Sequence, residues 1–385
     1  MERMSLNRRS FLKSVAVGSA ALARPEYCFG KEQTSIDEAF FIQPSELTLK
    51  FSHATGERKL SFGNFSGTPA EWKRQCREKL SDLLGFPEAT FITVERKRKL
   101  VSEGIRIEAL IMQIDSQLSI PAYLLVPKKV AKDKHAVMAI HGHSRIEPSL
   151  GLRDDPHHSF ALELARAGHI VLCPEIRGFG PLVDLAAGTG GMGVGGARLD
   201  YWVNDRLRNY TLQTDGLLRG QTMIGQTVAD LLRWETWLVR TKEITSLDVA
   251  GLSYGGDLAL AYPAFSERVR KIFASGTFGS FSAIYTRCYI APAHCIPGVL
   301  NWMDRSDIAG LNAPRPITLH FGELDTPDRE SHNYCASYNE TVKPSFAELQ
   351  DIYKAFGAQG EVSLSVSRGK DHELDIELLL AFLDD

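Results

Sequence analysis

From about residue 91 the chain reads as strands separated by helices. Residues 91–94, 105–112 and 120–127 alternate or run apolar, the pattern of an opening antiparallel meander. The next runs, 136–140, 170–174, 246–250, 271–275, 317–321 and 362–366, read as the strands of a parallel sheet, with 136–140 continuously apolar as in a buried strand. Helical spacing fills the gaps, over 160–168, 225–242, 257–265, 345–357 and 373–383. This alternation predicts an α/β fold with a doubly wound, mostly parallel sheet and ligands at the carboxyl ends of its strands.

Upstream the pattern weakens. Residues 24–68 show no clear period and are rich in polar residues, Gly and Ser, which predicts a linker with short elements. Residues 69–85 differ: Trp72, Cys76, Leu80, Leu83 and Leu84 recur at helical spacing, Thr68 can cap the start and Gly85 can end it. The expected organisation is an N-terminal linker and helical extension over 24–90 and a main domain over 91–385. Ahead of both, Asn7-Arg8-Arg9-Ser10-Phe11-Leu12-Lys13 precedes a mild apolar run, and Ala21-Leu22-Ala23 has the small-x-small pattern of a signal-peptidase site. Residues 1–23 resemble a twin-arginine export signal, which implies a periplasmic or secreted protein; the alternative is a basic tail and a short helix. Beyond it, no apolar stretch reaches the roughly 18 residues of a membrane span.

Composition narrows the partners. A formal net charge of -3 offers no basic excess to neutralise a phosphate backbone, so nucleic acid is not an expected partner. The cysteines form no Cys-x-x-Cys pair, which argues against structural zinc. In an oxidising compartment Cys288 and Cys295 are either a disulfide or two separate buried thiols, and spacing leaves both open. The Gly-rich stretch 186–198 lacks the strand before and helix after that a dinucleotide loop needs, so no nucleotide is expected there. It reads as a mobile loop, either a substrate lid or plain surface.

Candidate chemistry centres on Gly251-Leu252-Ser253-Tyr254-Gly255. An apolar strand precedes it and a helical run follows, the strand–turn–helix context of a nucleophile elbow. A serine hydroxyl needs a base, and in this arrangement the acid and the histidine follow later strands in that order. Asp325, just past 317–321, is the candidate acid, with Glu323 and Asp328 as rivals; His372, past 362–366, is the candidate base. The amides of Tyr254 and of His143, in the His141-Gly142-His143 loop, are the candidate oxyanion donors. Arg177 borders the expected pocket and is either a contact for a substrate carboxylate or sugar hydroxyl or half of a structural ion pair. His141, His143, His157 and His158, with Asp154 and Asp155, raise a rival metal reading, but no helix-borne pair at i, i+4 appears.

These motifs in sequence resemble bacterial dienelactone-hydrolase-like and acetyl-xylan-esterase-like α/β-hydrolases. The match runs through Tyr-Leu-Leu-Val-Pro at 123–127, His-Gly-His at 141–143, Arg-Gly-Phe-Gly at 177–180 and Gly-Leu-Ser-Tyr-Gly-Gly at 251–256. It continues through 296–298, 313–316, 322–325 and Asp371-His372-Glu373. The resemblance implies an α/β-hydrolase fold, cofactor-free ester hydrolysis, and Ser253, Asp325 and His372 as the triad. Dienelactone hydrolases proper use a cysteine nucleophile, so Ser253 points to a serine esterase acting on a small-molecule or carbohydrate ester. A prolyl-oligopeptidase-type peptidase and a non-catalytic binding protein on the same scaffold are the rivals. The former would bring a propeller repeat that the sequence lacks, the latter a missing triad member. Loops 186–210 and 280–305 are expected to set specificity.

Overall fold

Strands β1 (Thr93–Ser102), β2 (Ile105–Gln113), β3 (Ser119–Pro127), β4 (His135–Ile140), β5 (Ile170–Pro174), β6 (Ser246–Leu252), β7 (Val269–Ser275), β8 (Ile317–Gly322) and β9 (Val362–Ser367) pair into one sheet. Their order is β1-β2-β3-β5-β4-β6-β7-β8-β9 in this computed structural model. It describes residues 42, 57–87, 92–115, 118–131, 134–143, 145–153, 155–180, 182, 212–281, 283, 292–326 and 338–385. The expected leader, most of the 24–56 stretch, the Gly-rich loop, Cys288, Asp154 and Asp328 lie outside the described residues. The chain divides into units over Met1–Phe51 and Ser52–Asp385, and every element named here belongs to the second.

The meander β1–β2–β3 is antiparallel and joins β5 antiparallel; from β5 through β4, β6, β7, β8 and β9 every pairing is parallel. Every residue of β4 and β8 is buried, as is all of β6 after Ser246, which is why 136–140 reads as a continuous apolar run. β1 runs further than the apolar pattern predicts, through Glu95-Arg96-Lys97-Arg98-Lys99. It is an edge strand with a solvated face, so charged residues fit it and apolar periodicity misses it.

Helices α1 (Pro69–Leu84), α2 (Phe160–Arg166), α3 (Met223–Lys242), α4 (Tyr254–Ala261), α5 (Arg305–Gly310), α6 (Val342–Ala355) and α7 (Ile376–Asp384) flank the sheet. α1 begins with a capping box between Thr68 and Glu71 and ends on Gly85 in the left-handed region. It buries Trp72, Cys76, Leu80 and Leu84, and the Trp72 indole N–H donates to Leu60 O at 2.8 Å. The Thr222 amide and hydroxyl both donate to Leu84 O, at 3.0 and 2.8 Å, fastening the end of α1 to the start of α3. The helix expected over 257–265 starts earlier and stops sooner. α4 begins at Tyr254 and tightens into a 3-10 turn over Tyr262–Phe265, where Pro263 lacks the N–H an α-helix needs. α5 was not apparent in the sequence; it is short and rests on a capping box between Asp304 and Asp307. Among the described residues no helix is long and apolar enough to cross a membrane.

Candidate active site

Ser253 follows β6 and caps α4 with φ 58° and ψ -122°, a conformation that costs a non-glycine residue about 1–3 kcal/mol. Glycines on either side make it possible. A Cβ on Gly251 would sit 2.1 Å from Gly255 O, and one on Gly255 would sit 2.2 Å from Ile140 O. The elbow therefore presses the first turn of α4 onto the end of β4. The Ser253 amide donates to Ser275 O at 2.8 Å, tying the elbow to β7. Tyr254 is the first residue of α4, so its N–H is one of the first-turn amides that no helical carbonyl can reach.

The acid and base loops are zipped together. The Glu323 amide donates to Ser367 O at 2.9 Å and the Leu324 amide to Lys370 O at 2.8 Å. A Cβ on Gly322 would meet Asp371 O at 2.1 Å, so the loops touch at backbone distance. Asp325 is 1% exposed, and its Oδ2 lies 2.9 Å from Nδ1 of His372, itself 6% exposed. Glu323 points outward and accepts from the Gly369 amide at 2.9 Å instead. The imidazole of His372 lies over Gly276, where a Cβ would be 2.8 Å from its Cε1, and Gly276 adjoins the Ser275 carbonyl that holds the elbow. Ser253, Asp325 and His372 thus stand on three loops that follow β6, β8 and β9, with Asp325 and His372 in contact and the Ser253 amide bonded to Ser275, the neighbour of the Gly276 that His372 overlies.

The His141-Gly142-His143 loop leaves β4 beside the elbow: a Cβ on Gly142 would lie 3.0 Å from Ser253 Cβ. The ring of His143 packs edge-on to Phe179 at 5.2 Å and stacks on His294 at 4.8 Å. Nε2 of His294 and of His143 are 3.3 Å apart, and His294 Nδ1 lies 2.5 Å from Asp257 Oδ2. Burial pushes His294 down to about 3, so it is neutral. Arg305 and Thr277 close this cluster on Asp257 Oδ1, and burial lowers the Arg305 guanidinium to about 9. Asp257, His294 and Arg305 were missed by sequence reasoning; the only hint was that His294 and Arg305 fall in or next to the loop expected to set specificity.

Arg177 makes a two-pronged pair with Asp230, Nε to Oδ2 at 2.6 Å and Nη2 to Oδ1 at 3.0 Å, and Arg233 Nη1 shares Oδ1 at 2.7 Å. The histidines of the rival metal reading are dispersed. His141 Nε2 lies 2.7 Å from Glu175 Oε1, His157 Nδ1 lies 2.8 Å from Asp155 Oδ1, and His158 pairs with Glu373. Among the described residues no group of three or more such side chains could hold a metal ion.

No family model and no curated sequence matches the chain. Solved structures do. A protein from Bacteroides fragilis described as a proposed acetyl xylan esterase aligns at 16% identity over 83% of this chain and 88% of its own, with a TM-score of 0.65. A glucuronoyl esterase from Solibacter usitatus aligns at 12% identity over 85% and 96%, TM-score 0.58. Acetyl xylan esterase 1 from Thermoanaerobacterium sp. aligns at 17% over 83% and 94%, TM-score 0.50. At such identities the likeness speaks for architecture, and with the strand order and the elbow it establishes that this chain has the α/β-hydrolase fold.

Proposed function

We propose that the protein is a serine esterase that cleaves carboxylic esters, with acetylated carbohydrate as the favoured substrate class. The observation that carries this reading is the 2.9 Å contact between His372 Nδ1 and Asp325 Oδ2, made beside a serine held at positive φ. Asp325 holds the proton on Nδ1, which leaves Nε2 as the basic nitrogen. That nitrogen takes the Ser253 proton as Oγ attacks the ester carbonyl. The oxyanion is met by the amides of Tyr254 and His143, and the dipole of α4 adds to the former. His372 returns the proton to the leaving alcohol, takes one from water as its oxygen attacks the acyl-enzyme, and passes that proton to Ser253 Oγ as the acyl bond breaks and the acid leaves. Arg177 and Asp230 fix the loop that borders the pocket. The solved neighbours described as acetyl xylan and glucuronoyl esterases support a sugar ester. The Arg8-Arg9 leader supports export by the twin-arginine route, with 24–90 as extension and 91–385 as hydrolase domain.

The test is hydrolysis of p-nitrophenyl acetate, longer acyl esters and acetylated sugars, with Ser253→Ala as control and a chelator present. Wild type is expected to turn over acetyl esters with the chelator, and Ser253→Ala to lose about 10⁵–10⁶ in kcat. A wild type and a mutant equally inert on every ester would reject the reading.

A further inference from the structure

His157 lies outside the groups the mechanism uses, yet it touches both halves of the site. Its Nε2 accepts the Gly142 N–H at 2.8 Å. An accepting Nε2 fixes the ring proton on Nδ1, which lies 2.8 Å from Asp155 Oδ1; the same oxygen accepts the His157 amide at 2.7 Å. A Cβ on Gly142 would lie 2.7 Å from Leu252 O and 3.0 Å from Ser253 Cβ, so the bond is made against the elbow itself. On the other side, the Leu374 amide donates to Pro156 O at 3.0 Å and His158 pairs with Glu373. Residues 155–158 therefore brace the loop that follows β4 against the loop that carries His372.

We propose that His157 is a positioning residue of the hydrolytic site: it occupies the Gly142 amide, sets the path of the loop that presents the His143 amide, and releases that loop when protonated. The inference rests on the esterase reading above. A doubly protonated ring has no acceptor at Nε2, so the Gly142 N–H would face another N–H. The charged and titratable groups around the ring are Asp155 on its own segment, His141 at the end of β4 and His372 on the last loop. Phe160 stacks on it at 6.2 Å and contributes no charge. His141 is in turn beside Glu175, and His158 beside Glu373. Burial above all, with His141 and His372 adding to it against the pull of Asp155, holds the imidazole below its ordinary value. His157 thus protonates below the ordinary imidazole range and is neutral above it.

The pH dependence of kcat/KM on p-nitrophenyl acetate tests this, over the range in which circular dichroism shows each variant folded. Each inactivating protonation removes about tenfold per pH unit. Where His157 titrates, the acid limb of wild type is expected to steepen by about tenfold per pH unit. His157→Gln keeps an acceptor but cannot take the proton, so its acid limb is expected to lack that extra tenfold per unit. His157→Ala is expected to lose about a hundredfold in kcat with KM little changed, and His157→Gln to recover most of that. Equal acid slopes in wild type and His157→Gln, or an undiminished kcat in His157→Ala, would overturn the proposal. Nitrogen-15 NMR of the His157 ring gives a readout independent of substrate. A proton on Nδ1 at neutral pH, with the Gly142 amide resonance shifting as Nε2 protonates, is expected; a proton on Nε2 would overturn the proposal whatever the enzyme hydrolyses. Absence of Ser253-dependent hydrolysis would instead reject the esterase reading, and the NMR result would still decide what His157 holds.

Discussion

Replacing Gly255 by Ala tests the elbow without touching a reacting group. Gly255 follows Tyr254 in the first turn of α4 and lies against the end of β4. A Cβ there would be 2.2 Å from Ile140 O, 2.8 Å from Ile140 C and 2.5 Å from His141 O, where ordinary contact begins at 3.4 Å. The shortfall is about 1 Å against atoms at the bottom of a steep repulsive wall. Every obstacle is main chain, so no rotamer change relieves it, and α4 must part from β4. Overpacking of this kind costs about 1–3 kcal/mol, and the rigidity of both partners places this case at the upper end. The carbonyls that would be pushed belong to the residues leading into Gly142 and His143. A shift of about 1 Å at a reacting centre costs on the order of a hundredfold in rate. Gly255→Ala is therefore expected to lose about 2–3 kcal/mol in urea unfolding and about a hundredfold in kcat/KM on p-nitrophenyl acetate. The control is Gly360→Ala, whose Cβ would meet nothing within 4 Å; it is expected to stay within about 0.5 kcal/mol and at full rate. Wild-type stability and rate in Gly255→Ala would refute the close approach, and equal losses in Gly360→Ala would show that Cβ crowding is not the cause.

Other consequences are testable on the same preparations. Asp325→Asn keeps the size of the side chain but removes the charge facing His372 Nδ1, so kcat should fall about 10⁴-fold; a loss below tenfold in steady-state kinetics would remove Asp325 from the mechanism. His320 is buried between Ser275 and Ser367, and burial lowers it to about 4. The unfolded chain takes the proton first as pH falls below about 6.5, so this group should subtract about 1.4 kcal/mol of stability per pH unit until about pH 4. Urea midpoints against pH should be shallower in His320→Gln, and an unchanged slope would refute the assignment. Arg177→Met strips one guanidinium from buried Asp230 but leaves Arg233, so a loss of about 2–3 kcal/mol in urea unfolding is expected with KM unchanged. A KM rise confined to esters of acidic sugars, without loss of stability, would make Arg177 a substrate contact.

The parts of the site legible in the sequence are those that the order of strands dictates. Ser253, Asp325 and His372 each follow an apolar run, and a parallel sheet delivers the ends of such runs to one edge. The edge strand β1 and the one-and-a-half turns of α5 escaped, because neither depends on an apolar stripe for its stability. What no spacing revealed is which partner each histidine takes. A crowd of imidazoles and carboxylates suggests a shared ion, since sequence records residue type and density but not direction. In the folded chain His141 faces Glu175, His157 faces Asp155, His158 faces Glu373, His294 faces Asp257 and His372 faces Asp325. The partners lie 2 to 215 residues away, so the pairing belongs to the fold. A separate carboxylate beside each of these five imidazoles leaves no three of them converging on one point among the described residues. His157 and His372 then differ by their second neighbours: the Nε2 of one accepts a backbone amide, while the other lies over Gly276 beside the serine elbow. The same residue pair thus serves as a brace in one place and, in the proposed reaction, as the base in the other.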